Sequence, residues 1–246
     1  MHGPNSEIGK IFLLFSKSDY RYNSSCNAKR IDRKRGKTML EYENQLWGRG
    51  LQYIAGIDEV GRGCLFGDVV AAAVILPKGL LIEGVNDSKK LSEKTREELY
   101  GQILDAALTY GIGKVSAEVI DRINIKQASR LAMKLALEQL AVTPEYLLVD
   151  AEKVDSSIPQ LAVIHGDGLS HSIAAASIVA KVTRDRMCLG WDLEFPEYGF
   201  ASHKGYATRL HRENILKLGA SPLHRHTFLR KLFAVQGDLF ANEAEQ

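Results

Sequence analysis

The sequence predicts an α/β fold built on a mixed β-sheet. Two apolar, β-rich runs, Tyr53–Val60 and Val69–Leu76, follow each other with only a glycine-rich turn between them. Beyond them, strand-like and helix-like segments alternate along the chain. Strands that come first in a run and are then interleaved with helices are typical of an α/β fold whose sheet is mixed.

Each element has its own local signal. Helical spacing begins after Met39, and Ser92 is a plausible N-cap for a helix that runs to about Tyr110. The almost uniformly small, apolar start of the helix at Ser172–Leu189 predicts that it is buried and closely packed. The remaining predictions are strands at Gly111–Ala117, Tyr146–Asp150 and Leu161–Asp167 and helices at Ala128–Leu140 and Ala207–Leu218.

The composition is that of a globular protein. The 246 residues are 45% hydrophobic and 25% charged, which excludes disordered and collagen-like chains. The longest strictly apolar run, Val69–Leu76, is far shorter than the roughly 20 residues of a membrane helix. Three widely spaced cysteines argue against a disulfide framework or a zinc knuckle. We therefore expect a soluble, cytoplasmic monomer that does not associate with membranes.

The two ends of the chain differ from its centre. Residues 1–38 carry nine Lys/Arg against three Asp/Glu and lack sustained periodicity. We expect a basic, disordered leader over 1–38, a compact domain over 39–233 and a flexible tail over 234–246. The leader could be a polybasic arm that grips nucleic acid, a solvated tail, or translation from a start upstream of the natural one.

Four carboxylates interrupt or end apolar strands of the predicted sheet. Asp58 and Glu59 lie in the first strand, and Asp150 and Asp167 end two later ones. A carboxylate on a buried strand costs several kcal/mol unless it is paired or binds a metal, on the order given for isolated buried charges. Any one of these acids could simply cap a turn or pair with a nearby base. Four together predict one convergent site.

Clustered carboxylate oxygens are the ligands that Mg²⁺ and Mn²⁺ prefer. Two such ions can activate water on one side of a phosphodiester and stabilise the leaving oxygen on the other. Adjacent strand residues point to opposite faces, so Asp58 and Glu59 share a site only if the backbone leaves regular strand geometry there. Gly61 and Gly63 would allow that bend.

The glycine-rich turn Gly61–Gly67 is similar to a dinucleotide-binding loop, but that interpretation requires a helix next. The following run, Val69–Leu76, is β-branched and predicts a strand instead. The glycines more plausibly let backbone N–H groups approach a nucleic acid, with Arg62 near a phosphate.

Several motifs, in order, resemble the bacterial ribonuclease HII family over about Leu40 to Phe233. They are Gly56-Ile57-Asp58-Glu59-Val60-Gly61-Arg62-Gly63, Asn86-Asp87-Ser88-Lys89-Lys90-Leu91, the helical run Ala174–Asp185, and His203-Lys204-Gly205-Tyr206. The resemblance implies a ribonuclease H-like fold, with a five-stranded mixed sheet flanked by helices and a helical C-terminal part. The related ribonuclease HIII group usually has threonine at the Arg62 position and a larger N-terminal domain than the leader could form.

The resemblance also implies an activity. The family cuts the RNA strand of RNA–DNA hybrids and nicks 5′ to a ribonucleotide in duplex DNA, leaving 3′-hydroxyl and 5′-phosphate ends. It uses Mg²⁺ or Mn²⁺, two ions during catalysis. The 2′-hydroxyl distinguishes such a site from plain DNA.

Roles carry over onto matching positions. Asp58, Glu59, Asp150 and Asp167 match the family's catalytic, metal-binding carboxylates. Gly61, Arg62 and Gly63 match the loop that senses the ribose 2′-hydroxyl, and Tyr206 matches a tyrosine that packs on the neighbouring deoxyribose. The chain departs from the usual family residues at Cys64, where proline is usual, at Asp68, where a small residue or proline is common, and at Ala151, where glycine often follows the aspartate. None of the three matches a metal-binding position of the family.

Basic residues outside these motifs are candidates for contacts with the nucleic-acid backbone. Lys89 and Lys90 could grip phosphates, and solvated lysines are an equally good interpretation. A C-terminal basic face is a plausible duplex-binding surface. Its members are His203, Lys204, Arg209, Arg212, Arg225, Arg230 and Lys231, interleaved with Tyr206, Phe228 and Phe233.

The tail carries a separate hypothesis. Gln236-Gly237-Asp238-Leu239-Phe240 resembles the pentapeptide that bacterial proteins dock into the DNA sliding clamp. Gln236 would hydrogen-bond the rim of the clamp pocket, and Leu239 and Phe240 would fill it. An amphipathic tail that folds back on the domain is the alternative.

Two other functions stay open from the residues alone. A junction resolvase of the same fold would share the strand carboxylates but lack the Gly61–Gly63 loop and Tyr206. A nucleic-acid-binding scaffold would use the basic C-terminal face, but four strand-end acids would repel its phosphates.

Overall fold

The computed structural model describes residues 39–230 and 232–233. The predicted leader (1–38) and tail (234–246) lie outside the described residues, as do the candidate clamp-binding residues Gln236, Leu239 and Phe240.

The core of the fold is a five-stranded mixed sheet, as predicted. Its strands are β1 (Ile54–Val60), β2 (Val69–Ile75), β3 (Thr109–Val115), β4 (Tyr146–Asp150) and β5 (Gln160–Val163). They lie in the order β3-β2-β1-β4-β5. β1 pairs antiparallel with β2, which pairs antiparallel with β3. On its other side, β1 pairs parallel with β4, and β4 pairs parallel with β5.

Helices cover both faces of the sheet and continue beyond it toward the C-terminus. They are α1 (Glu41–Gly48), α2 (Glu93–Ala106), α3 (Ala117–Ile123), α4 (Ile125–Glu138), α5 (His171–Glu194), α6 (Phe200–His203) and α7 (Arg209–Leu218), and residues 226–230 and 232–233 are also helical. None of the helices in this described part is long and apolar enough to span a membrane.

α5 lies against β1 at very short range. A side chain at Gly56 would collide with the α5 backbone at Ser172, so only glycine permits this approach. Small residues such as Ala174 and Ala175 allow the first half of the helix to be fully buried, whereas its second half reaches the surface at Leu193. The predicted burial of this helix is confirmed, and the opposite face of the sheet is covered by α4 around Met133.

Several element boundaries differ from the sequence predictions, and one helix was not predicted. α2 begins after its predicted cap, Ser92, but ends at Ala106 because Thr109 already pairs within β3. α3 was not predicted; it begins after Ser116, whose hydroxyl accepts a hydrogen bond from the backbone N–H of Val119.

The predicted strand Leu161–Asp167 is wrong in its second half. β5 ends at Val163, and Asp167 lies in a 3₁₀ turn, Gly166–Gly168. His165 has a left-handed backbone with φ of 56°, a conformation that a strand cannot continue through. Asp167 therefore reaches the site from a turn before α5.

Candidate active site

Asp58 and Asp150 lie next to each other at one edge of the sheet. β1 and β4 are parallel, and their last paired residues are Ile57 and Val149. The following residue on each strand is a carboxylate, and paired residues of parallel strands face the same side. That side is the α5 face, where the Asp58 carboxylate bonds the hydroxyl of Ser177.

Glu59 lies on the opposite face of β1. The strand keeps regular pairing with β2 through Asp58, Glu59 and Val60, so the expected departure from strand geometry does not occur at the two acids. The left-handed φ of 94° comes later, at Gly61. Glu59 still acts on its neighbours, because its charge raises the pKa of Asp58.

Asp167 completes the group from the turn before α5. Its Oδ2 lies 3.2 Å from Nζ of Lys89. Asp150 is tied to the same turn, because its Oδ1 accepts a hydrogen bond of 2.7 Å from the backbone N–H of Gly166. The structure thus brings all four predicted carboxylates to the C-terminal ends of β1 and β4.

The carboxylates raise one another's proton affinity. Burial raises the pKa of Asp58 well above its usual range, and the charges of Glu59 and Asp150 add to the rise. Burial also raises the pKa of Asp150, with a further contribution from Asp167. The same burial raises the pKa of Glu59 against the lowering effect of Arg62. Such mutual repulsion indicates a site that needs added positive charge.

The residues fit a divalent ion by their chemistry. All donors are hard carboxylate oxygens, and Oε2 of Glu59 is buried without a hydrogen-bond partner in the part of the chain that the structure describes. Within residues 39–230 and 232–233, no three His, Cys, Asp or Glu side chains lie close enough together to coordinate a metal ion. Two of the carboxylates instead form ion pairs with basic side chains: Nη1 of Arg62 lies 3.0 Å from Oε1 of Glu59, and Lys89 bonds Asp167.

Ser177 is a site residue that the sequence analysis missed. Its hydroxyl bonds the Asp58 carboxylate and lies 2.9 Å from the hydroxyl of Ser88, which belongs to the turn that carries Lys89. The available signal was a lone serine within an otherwise apolar stretch of α5. Such a residue needs a polar partner when it is buried.

The glycine loop beside the carboxylates has one crowded and one open glycine. At Gly61, an added Cβ would collide with the Arg184 side chain. At Gly63 no atom of residues 39–230 or 232–233 lies within 4 Å of an added Cβ, and the residue is exposed. The Arg62 side chain is 41% exposed and can reach a ligand from its ion pair with Glu59.

Tyr206 is held against this loop. It pairs with Cys64 in an isolated antiparallel bridge, and the N–H of Leu65 donates to the carbonyl of Gly205. Tyr206 remains 41% exposed, so its ring is accessible beside the loop. Cys64 is a buried free thiol, as is Cys188.

Two buried arginines were misjudged or missed from the sequence. Arg225 was placed on the basic C-terminal face, but it is 0% exposed and cannot contact a duplex. Its guanidinium bonds the carbonyls of Arg62, Cys64 and Gly67. His203 is also buried and cannot belong to that face. Arg184, which was not singled out, bonds three other carbonyls on both sides of the loop.

The two candidate phosphate-binding lysines lie on one 3₁₀ turn, Ser88–Lys90. Lys89 bonds Asp167, whereas Nζ of Lys90 lies 3.7 Å from Oδ2 of Asp87. Both side chains are largely exposed.

Ala151, where the family often has glycine, has a left-handed φ of 50° directly after Asp150, a conformation that glycine adopts at lower cost.

Comparisons with known proteins agree with this geometry. A family model described as Ribonuclease HII matches residues 55–235. The chain is 63% identical over 199 residues to ribonuclease HII of Alkaliphilus metalliredigens (strain QYMF) and 55% identical over 199 residues to that of Alkaliphilus oremlandii (strain OhILAs). Each match covers 78% of this chain and 98% of the relative.

Solved structures share the fold. Ribonuclease H2 from Pyrococcus horikoshii OT3 matches with a TM-score of 0.63 and 26% identity, over 73% of this chain and 96% of that one. RNase HII of Archaeoglobus fulgidus, solved in a complex with PCNA, matches with a TM-score of 0.57 and 28% identity, and the match covers 70% of this chain and 93% of that one. Bst-RNase HIII, solved with Mn²⁺, matches with a TM-score of 0.63 and 18% identity, and the match covers 86% of this chain and 77% of that one. At this low identity, the similarity shows the fold alone.

The family model matches most of the chain, the curated relatives are up to 63% identical to it, and the sheet is that of a ribonuclease H-like fold. The chain therefore belongs to the ribonuclease HII family and is a nuclease that hydrolyses phosphodiester bonds, with the activity of an RNA–DNA hybrid endoribonuclease.

Proposed function

We propose that this nuclease also nicks duplex DNA 5′ to a single ribonucleotide, leaving 3′-hydroxyl and 5′-phosphate ends, and that it does so with two Mg²⁺ or Mn²⁺ ions. The observation that carries the proposal is the position of the carboxylates directly beside the Gly61–Gly63 loop. The charge of Arg62 reaches Glu59, so the loop and the acids form one continuous surface.

The acids Asp58, Glu59, Asp150 and Asp167 would hold the ions, which supply Lewis-acid polarisation of the scissile phosphodiester and of the attacking water. The protein supplies the alignment. Parallel pairing of β1 and β4 fixes Asp58 beside Asp150, and the hydrogen bond from Ser177 orients the Asp58 carboxylate. Rigid strands hold such a site more accurately than loops would.

Recognition of the ribonucleotide falls to the loop and to Tyr206. Gly63 offers backbone without a side chain, which allows close approach to a sugar carrying a 2′-hydroxyl. The exposed ring of Tyr206 offers an apolar face for the adjacent deoxyribose. Lys89 and Lys90, on their exposed turn, are placed to meet backbone phosphates. Residues 39–233 would form the catalytic unit, because all of these groups lie within it.

The test is a cleavage assay on duplex DNA that contains one ribonucleotide, with Mg²⁺ or Mn²⁺. We expect one nick 5′ to the ribonucleotide, and its loss in Asp58→Asn. Asp155→Asn is the matched control, because this aspartate also follows β4 but is 85% exposed and pairs with Lys134 on the surface.

The same assay separates the two alternative functions. Cutting of branched, all-DNA substrates would support a junction resolvase. Binding of the duplex without any cut would support a scaffold. Either result would overturn the proposed nicking activity.

We also propose that the tail docks onto a sliding clamp through Gln236, Leu239 and Phe240. The support is the pentapeptide pattern and the PCNA complex of the Archaeoglobus fulgidus relative. In a pull-down with a bacterial sliding clamp, the full chain should be retained and Leu239→Ala/Phe240→Ala should be lost. Equal retention of the two proteins would refute the docking.

A further inference from the structure

Arg225 is a buried cation whose partners are backbone carbonyls. Its side chain is 0% exposed, and within the described part of the chain it has no ion pair with a carboxylate. The guanidinium instead donates to the carbonyls of Arg62 at 3.1 Å, Cys64 at 2.9 Å and Gly67 at 2.9 and 2.8 Å. A buried charge without a counter-ion is costly, so its donors must all be well placed.

The Arg62 carbonyl belongs to the Gly61–Gly63 loop that the proposed function assigns to ribose recognition, and the carbonyls of Cys64 and Gly67 follow in the same glycine-rich turn. A trans peptide is planar, so the carbonyl of Arg62 and the N–H of Gly63 point in opposite directions. Because Arg225 holds that carbonyl inward, the N–H of Gly63 points out of the loop. Gly63 is exposed, and its N–H has no hydrogen-bond partner among the described residues.

The outward N–H is a donor in open space beside the carboxylates. None of the described residues comes within 4 Å of an added Cβ at Gly63, so a sugar can approach the backbone closely. Without Arg225, the Arg62–Gly63 peptide would lose the bond that fixes its orientation. It could then rotate, and the donor would no longer be presented to a ligand.

Arg184 provides a useful contrast. It bonds the carbonyls of Phe66, Asp68 and Lys204, which lie after the recognition glycines or on the neighbouring segment. Both arginines therefore hold the end of the turn, but of the two only Arg225 also bonds the carbonyl of Arg62, which precedes Gly63.

We propose that Arg225 is a positioning residue for ribonucleotide recognition: by holding the Arg62 carbonyl, it presents the Gly63 N–H to the 2′-hydroxyl of the substrate sugar. This inference rests on the proposed function and adds to it the group that sets the donor's orientation. Arg225 itself touches no substrate.

The test is a binding preference rather than a rate. Fluorescence anisotropy would measure Kd for a duplex with one ribonucleotide and for the same all-DNA duplex, with Ca²⁺ in place of the catalytic ion. The variants are Arg225→Met and the milder Arg225→Lys. Loss of one directed hydrogen bond corresponds to about tenfold in affinity, so we expect the preference to fall by about tenfold in Arg225→Met and less in Arg225→Lys.

Met133→Ala is the control for loss of stability. It opens a cavity in the core beneath α4, away from the loop, and should lower the melting temperature while it leaves the preference unchanged. If Arg225→Met does not fold, the milder Arg225→Lys carries the test. An unchanged preference in the folded Arg225 variants would overturn the inference. A wild-type protein without any preference would instead overturn the proposed function.

Discussion

Nζ of Lys89 lies 3.2 Å from Oδ2 of Asp167, so an ammonium group sits among four carboxylates that repel one another. Burial opposes the charge on Lys89, but its hydrogen bond to Asp167 and the charge of Asp58 together raise its pKa. The lysine therefore supplies part of the positive charge that this edge of the sheet requires.

This relationship predicts a metal-dependent effect of Lys89→Ala. Without divalent ions, the variant should melt about 2 °C below the wild type, because Asp167 loses its partner while the repulsion stays. Added Mg²⁺ should close the difference. Thermal unfolding in EDTA and in Mg²⁺ measures both. Lys90→Ala, whose lysine faces Asp87, should show no such dependence, and an equal deficit of Lys89→Ala in both buffers would contradict the prediction.

The two loop glycines should differ when each is replaced by alanine. Gly63→Ala should fold with an unchanged melting temperature, because the space around it is open, yet lose at least about tenfold in kcat/KM on the single-ribonucleotide duplex. Gly61→Ala should instead lose stability, since its φ is 94° and its Cβ would meet Arg184. Full activity in Gly63→Ala would show that the substrate does not approach this backbone.

Tyr206→Ala should weaken cutting at a single ribonucleotide more than cutting of a long RNA–DNA hybrid, because its ring is expected to pack on the deoxyribose of the junction. Tyr206→Phe keeps the ring and should retain about the wild-type ratio of kcat/KM between the two substrates. Equal losses on both substrates in Tyr206→Ala would refute the junction role.

Two buried histidines should make stability fall in mild acid. Nε2 of His211 lies 3.1 Å from Nε2 of His224, and burial lowers their pKa values to about 4 and about 3. The folded protein keeps both neutral, whereas the unfolded chain protonates them below pH 6.5. Unfolding therefore takes up protons, and stability declines as the pH falls from 6.5 toward 4, by about 2 kcal/mol for each histidine at pH 5.

Urea titrations at pH 7, 6 and 5 measure this decline. Carboxylates with raised pKa values act in the opposite direction, so the informative quantity is the difference between variants. His224→Gln should have a shallower dependence on pH than the wild type, and His226→Gln, at an exposed position, should match the wild type. Parallel curves for all three proteins would refute the coupling.

The sheet could be predicted because its strands are short apolar runs with clear punctuation. Tyr146–Asp150 was placed to the residue, since Glu145 precedes the apolar run and the carboxylate of Asp150 ends it. The end of α2 was misplaced because Leu108 and Tyr110 fit either a helix or a strand locally. Pairing with β2, which decides the matter, is not local information.

The four carboxylates could be proposed as site residues because an unpaired carboxylate on a buried strand costs free energy. Their arrangement could not be predicted, because it depends on the register between β1 and β4. Parallel pairing places Asp58 beside Asp150, and only the turn at His165 brings Asp167 to them. Arg225 could not be assigned correctly, because a basic residue in a basic segment resembles a solvated one. Its burial depends on carbonyls of a loop about 160 residues earlier.

The most direct test of the central claim is anomalous diffraction from crystals of the full chain soaked in Mn²⁺. We predict a manganese peak bounded by Asp58, Glu59, Asp150 and Asp167, with the Lys89 ammonium displaced from Asp167. A peak elsewhere, or none at these four side chains at a concentration that supports cleavage, would contradict the claim.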